Sequence, residues 1–127
     1  MIEKQFTTSY QVYDHLEEMP EEDIQLMNKA CTIRDQAYAP YSQFMVGAAV
    51  LLENGEIVLG SNQENAAYPS GLCAERNAIY QAGSLYPKEK ILAIAITVKS
   101  QRKKVIVPAA PCGACRQAIA EYEFKQE

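Results

Sequence analysis

Two short segments place reactive side chains at spacings that suit metal chemistry: Cys73-Ala74-Glu75-Arg76, and Pro111-Cys112-Gly113-Ala114-Cys115-Arg116-Gln117. Both fall where a helix is predicted to begin. Unpaired backbone N–H groups and the positive end of the helix dipole lower thiol pKa values there, so the cysteines can bind a metal as thiolates near neutral pH. Cys112 and Cys115 are three apart, on one helical face, and both sulfurs can reach one ion. Three thiolates on a zinc ion leave its fourth tetrahedral position open for water, the arrangement of a catalytic rather than a structural site. Glu75, two residues after Cys73, is placed to move protons on that water without being a ligand.

Three thiolates on a divalent ion carry a net negative charge, which weakens it as a Lewis acid. Arg76 is the candidate to offset this by donating hydrogen bonds to ligand sulfurs. Cys31, the fourth cysteine, falls on the apolar stripe of the first predicted helix and reads as a free buried thiol. A Cys-x-x-Cys at a helix start also marks thiol redox sites. That reading leaves Cys73 and Glu75 unexplained. His15, the single histidine, lies in an N-terminal stretch with no readable pattern and is expected at the surface.

The elements that must position these residues can be read in order. Pro20 followed by Glu21, Glu22 and Asp23 is a helix start, Ile24, Met27, Cys31 and Tyr38 recur at helical spacing, and Pro40 closes the element. From Phe44 the chain becomes strand-like. Met45 to Leu52 is a nearly continuous apolar run, Asn54-Gly55 predicts a two-residue turn, and Ile57 to Leu59 returns as a hairpin. Cys73 to Gln81 predicts a helix ended by Gly83. Ile91 to Val98 suits a strand covered on both faces, and Cys112 to about Tyr122 a last helix. Helices alternating with strands imply an α/β/α sandwich around a mixed sheet. Residues 1–19 read as an N-terminal extension and residues 20–127 as one catalytic domain.

At 127 residues, 48% of them hydrophobic, the chain can build one modest core. A net charge of −4 and a pI near 5.1 do not favour a polyanion or an acidic membrane surface as partner. The basic run Lys99-Ser100-Gln101-Arg102-Lys103-Lys104 reads as a solvated loop. No stretch is long and apolar enough to span a bilayer, and Glu3 and Lys4 do not suit a signal peptide, so a cytoplasmic location is expected.

Three blocks together resemble the small homotetrameric cytidine deaminases: Tyr41 to Ala49, Asn62 to Arg76, and Pro111 to Gln117. The resemblance runs from about Pro20 to Glu123. It implies one zinc per chain held by Cys73, Cys112 and Cys115, with Glu75 as proton shuttle, a ligand set and role known among zinc deaminases. It further implies that Asn62 and Glu64 hold the ribose 3′-hydroxyl, that Phe44 packs against the nucleoside, that the backbone of Ala74 contacts the pyrimidine, and that Tyr68 lies close to a neighbouring subunit. An amide and a carboxylate can bracket a hydroxyl, while the carboxylate would repel a phosphodiester, which favours free nucleosides over polynucleotides. The implied reaction is hydrolysis of cytidine, and of deoxycytidine, to the uracil nucleoside and ammonia. The alternative is a zinc-stabilised domain that acts only in binding or assembly. The span from Cys73 to Cys112 is longer than the family pattern, with extra residues around Tyr86 to Lys104. The family's further C-terminal strands have no counterpart up to Glu127, so the expectation is either a fragment or a smaller sheet with a less enclosed pocket.

Overall fold

The computed structural model describes all 127 residues. Residues 1–15 form no helix or strand, and a short 3-10 helix, Leu16–Glu18, precedes the first α-helix. The ordered elements are α1 (Glu21–Arg34), β1 (Phe44–Leu52), β2 (Ile57–Ser61), α2 (Ala74–Leu85), β3 (Ile91–Ser100) and α3 (Gly113–Lys125), with a second 3-10 turn at Tyr68–Ser70.

Strand β1 is central in a sheet ordered β2-β1-β3. Its sequence is apolar throughout, so both faces can be buried, and its side chains alternate between two cores. Ala48, Val50 and Leu52, with Val58 from β2, pack on Ala74, Ala78, Ile79 and Ala82 of α2. Ala49 faces the other way, with Ala95 of β3, against Leu26 and Ala30 of α1. The result is the expected sandwich, α1 on one face and α2 on the other. Full burial of a side chain such as Ile79 stabilises by about 1.5–3 kcal/mol. Within the sheet both ladders are antiparallel, and the one parallel pairing is the isolated bridge of Tyr38 with Gln63.

Four local readings change. Helix α1 stops at Arg34 rather than near Tyr38. The Tyr38 N–H donates to Asn62 O (3.0 Å) and Glu64 N–H to Tyr38 O (2.9 Å), so pairing with the segment after β2 overrides the helical spacing. The hairpin loop runs from Glu53 to Glu56 rather than through two residues. Within the loop only Gly55 takes a positive φ (86°), Gly55 N–H donates to Leu52 O (2.9 Å), and Asn54 Oδ1 accepts from Glu56 N–H (3.0 Å). Gly83 lies inside α2, which continues to Leu85, because the Tyr122 ring of α3 lies against it where a side chain would be. Strand β3 is two residues longer than its apolar run. It lies at the edge of the sheet, yet both its faces are packed, Ile94 against the α2-side core and Ala95 in the α1-side core, with Leu92 left 61% exposed.

Helix α3 joins the α2 side of the sandwich through Ile119 and Tyr122. Near its end the Gln126 carboxamide accepts from Ile91 N–H (2.8 Å) and donates to Ile91 O (3.3 Å), tying the helix to the start of β3.

Candidate metal centre and active site

Helices α2 and α3 both begin at a cysteine. Cys73 is the N-cap of α2 and Cys112 the N-cap of α3, each in extended backbone geometry, and Cys112 Sγ accepts from Cys115 N–H (3.4 Å). A capping side-chain acceptor at this position satisfies one of the first-turn N–H groups. Helix α2 is fixed at this depth by Gly60 of β2, where a Cβ would stand 2.5 Å from Ala74 O and Ala78 N. The sulfurs of Cys73, Cys112 and Cys115 thereby lie within 4.8 Å of one another. Cys73 Sγ and Cys112 Sγ are 3.7 Å apart. Tetrahedral zinc with bonds of about 2.3 Å sets its sulfurs about 3.8 Å apart, so the cluster fits that ion.

The thiols do not share one environment. Burial pushes Cys115 up to about 12, with the neighbouring Cys112 and Cys73 thiols and the Glu75 charge adding to it, while Arg76 opposes. The Cys115 N–H is the largest influence holding Cys112 below its ordinary value. Three adjacent thiolates without a cation would repel one another, and a divalent ion removes that conflict. Arg76 Nη2 donates to Cys73 Sγ (3.4 Å). The guanidinium pKa is raised, first by its bond to Cys73 and then by Cys115. Arg76 Nε is buried with no acceptor, so the guanidinium is committed to the sulfur cluster rather than to a carboxylate. Arg116 turns away, its Nε donating to Pro111 O (2.9 Å).

Glu75 is buried (5% exposed) in the first turn of α2, one residue from Arg76 and two from Cys73. An open groove of about 790 Å³ leads to the cluster, lined by Tyr41, Ser42, Asn62, Glu64, Tyr68, Cys73, Arg76 and Cys112 among others. Phe44, Ala74, Glu75 and Cys115 are not among its lining residues. Ala74 and Cys115 are fully buried beneath it, and Phe44 is half-buried at the start of β1.

Asn62 and Glu64 are both engaged within the chain. Asn62 Oδ1 accepts from Val46 N–H (2.8 Å) and its Nδ2 donates to Phe44 O (2.9 Å), which fixes β1 where it enters the site. Glu64 Oε1 accepts from Tyr41 N–H (2.9 Å) and Ser42 N–H (3.1 Å), and Oε2 accepts from the Ser42 hydroxyl. Burial pushes the Glu64 carboxyl up, but the Ser42 hydroxyl and the two backbone N–H groups together hold it below its ordinary value. Neither Ser42 nor Tyr41 stands out in the sequence as a site residue, although both fall within the Tyr41 to Ala49 block. Two of their three bonds to Glu64 come from backbone N–H groups, which side-chain identity does not announce, and the third comes from the Ser42 hydroxyl. Tyr68 is 90% exposed at the groove rim. Cys31 is part-buried rather than buried, its Sγ donating to Thr97 Oγ1 (3.7 Å), and it is not part of the cluster. His15 is exposed.

Residues 20–126 match the family model described as the cytidine and deoxycytidylate deaminase zinc-binding region. The chain belongs to that family. A cytidine deaminase of Halalkalibacterium halodurans is 44% identical over 96 residues, covering 76% of this chain and 68% of that protein. A cytidine deaminase of Sporosarcina psychrophila is 48% identical over 90 residues, covering 70% of this chain and 61% of the relative. The crystal structure of a cytidine deaminase from Burkholderia pseudomallei superposes with a TM-score of 0.67 at 41% identity, over 80% of this chain and 75% of that one. The chain thus spans about two thirds of the length of the two curated relatives. Zinc is the ion the family description names, and the three sulfurs are the ligand cluster that fits it.

Proposed function

We propose that the chain hydrolyses the 4-amino group of cytidine, and of deoxycytidine, giving uridine or deoxyuridine and ammonia. The observation that carries this reading is the three-sulfur cluster with a buried glutamate two residues from its first ligand. Zinc bound there supplies the Lewis acidity that makes water nucleophilic at neutral pH.

Glu75 carries the protons. Its carboxylate accepts one from the attacking water and delivers it to N3 as the oxygen adds to C4. It then delivers the second to the exocyclic nitrogen, which leaves as ammonia while C4 becomes a carbonyl. One group acts as base and then as acid, and burial keeps that proton from exchanging with bulk water. Arg76, bonded to Cys73 Sγ, draws negative charge from the sulfurs and so preserves the acidity the step needs. Glu64, anchored by Tyr41 and Ser42, offers its remaining acceptor capacity to the ribose 3′-hydroxyl beside Asn62. Neither Phe44 nor Ala74 lines the groove, so packing of Phe44 against the nucleoside and contact of the Ala74 backbone with the pyrimidine require the groove to open toward β1 and the start of α2 when substrate binds. The open rim, with Tyr68 projecting from it, supports assembly into a homotetramer in which Tyr68 meets a neighbouring subunit. Such an enzyme serves pyrimidine salvage in the cytoplasm. No helix is long and apolar enough to cross a membrane.

The test is Glu75→Ala, with zinc per chain and the ultraviolet change of cytidine deamination followed on one sample. One zinc per chain and turnover reduced by about 10²–10⁴-fold is expected. Retained zinc with near-normal turnover would overturn the assignment. One zinc per wild-type chain without turnover would favour a zinc-stabilised domain that only binds.

A further inference from the structure

The basic run Lys99 to Lys104 begins inside β3 and continues into a loop that is solvated, as expected, but tied to the fold. It borders an open, shallow depression of about 490 Å³ on the α1 side of the molecule, lined by Arg34, Lys99, Arg102, Lys103 and Lys104 together with uncharged neighbours and no acidic residue. Five of the chain's twelve lysines and arginines thus gather in one concavity of a protein whose net charge is −4.

Two of the five are held in place. Arg34 Nη1 donates to Thr97 Oγ1 (2.7 Å) and Val98 O (3.4 Å), while its Nε is buried with no acceptor, so this cation is fixed beneath the loop on neutral partners alone. Arg102 Nε donates to Gln43 Oε1 (2.9 Å) and Nη2 to Tyr41 O (3.2 Å), leaving Nη1 for a further acceptor. The loop backbone is tied down as well: Gln101 N–H donates to Gln43 O (2.9 Å), and the N–H groups of Arg102 and Lys103 point to Ser100 Oγ (3.2 and 3.4 Å).

We propose that this cradle binds a phosphate-class anion. Clustered cations raise one another's energy, and a compact multivalent anion relieves several at once, with arginine providing a planar fork suited to phosphate oxygens. A long polyanion is disfavoured because it must also lie along the acidic remainder of the surface. Arg102 gives the bound anion a structural connection: the same guanidinium holds Tyr41 and Gln43, on the turn whose N–H groups grip Glu64. Anion binding therefore orders that turn. The site is read by binding alone, so it stands or falls separately from the deaminase reading.

The test is a titration of the full zinc-loaded chain with inorganic phosphate at low ionic strength, followed by amide NMR. Saturable shifts are expected at Lys99 to Val105 and at Tyr41 and Ser42. Affinity should weaken at least tenfold in the surface double variant K103Q/K104Q and in Arg34→Lys, which keeps the charge but loses the fork. Equal shifts with chloride at matched ionic strength would reduce the effect to screening and overturn the proposal. Tight binding of a single-stranded 12-mer in place of phosphate would overturn it in favour of a nucleic-acid surface. Shifts confined to the loop would overturn the link to Tyr41.

Discussion

Glu64 is the residue whose environment makes the sharpest pH statement. Its carboxyl lies below the usual 4.5 because Ser42 and the Tyr41 and Ser42 N–H groups favour the charged form. A depressed carboxylate contributes stability that is fully present above the unfolded value and is lost as pH falls through the folded one. Wild type should therefore melt above Glu64→Gln at pH 6–7, and the gap in Tm should shrink as pH is lowered below 4.5, which a pH series of thermal melts would show. An unchanged gap down to pH 3 would mean that these bonds do not hold the turn. Glu64 and Asn62 also mark the limit of residue-level reading. Their types and positions were legible, but their bonds to Tyr41, Ser42, Phe44 and Val46 depend on how β1 and the segment after β2 come together. Asn62, expected at the ribose, spends its carboxamide oxygen and one amide donor bond on the β1 backbone.

The elements show which sequence signals carry over. Periodicity and helix-start chemistry located α1, the hairpin strands, α2, β3 and α3, since each is decided by its own residues. Signals that compete with tertiary contacts carried over less well: Tyr38 kept helical spacing but pairs with Gln63, and Gly83 resembled a helix stop but makes room for Tyr122. Gly60 has the same kind of role with more at stake, because it seats the helix that carries Cys73 and Glu75. Gly60→Ala must displace the α2 backbone, costing about 1–3 kcal/mol. Urea unfolding should show that loss, and competition with a chelator should show weaker zinc retention than wild type, because Cys73 moves relative to Cys112 and Cys115. Normal zinc affinity in a destabilised variant would show that the ligand geometry is set elsewhere.

At the scale of the molecule, α1, the sheet and α2 share two cores, whereas α3 is attached through Ile119, Tyr122, the Gln126 bonds and the cysteines at its start. Removing zinc should loosen α3 first. Hydrogen exchange after chelation is expected to quicken across Gly113–Lys125 well before β1, and thermal stability to fall and recover when zinc is returned. Uniform quickening would mean that the metal supports the whole sandwich equally. The metal also alters the connectivity of the chain. Cys73 and Cys112 are 39 positions apart, and everything between them, all of α2, all of β3 and the basic loop, lies inside a ring that zinc closes. A cross-link around a ring of that size restricts the unfolded chain by about 4 kcal/mol if the bonds persist there. Zinc would then act as a removable knot in the polymer as well as a reagent, and the edge strand β3 would owe part of its persistence to ligands that never touch it.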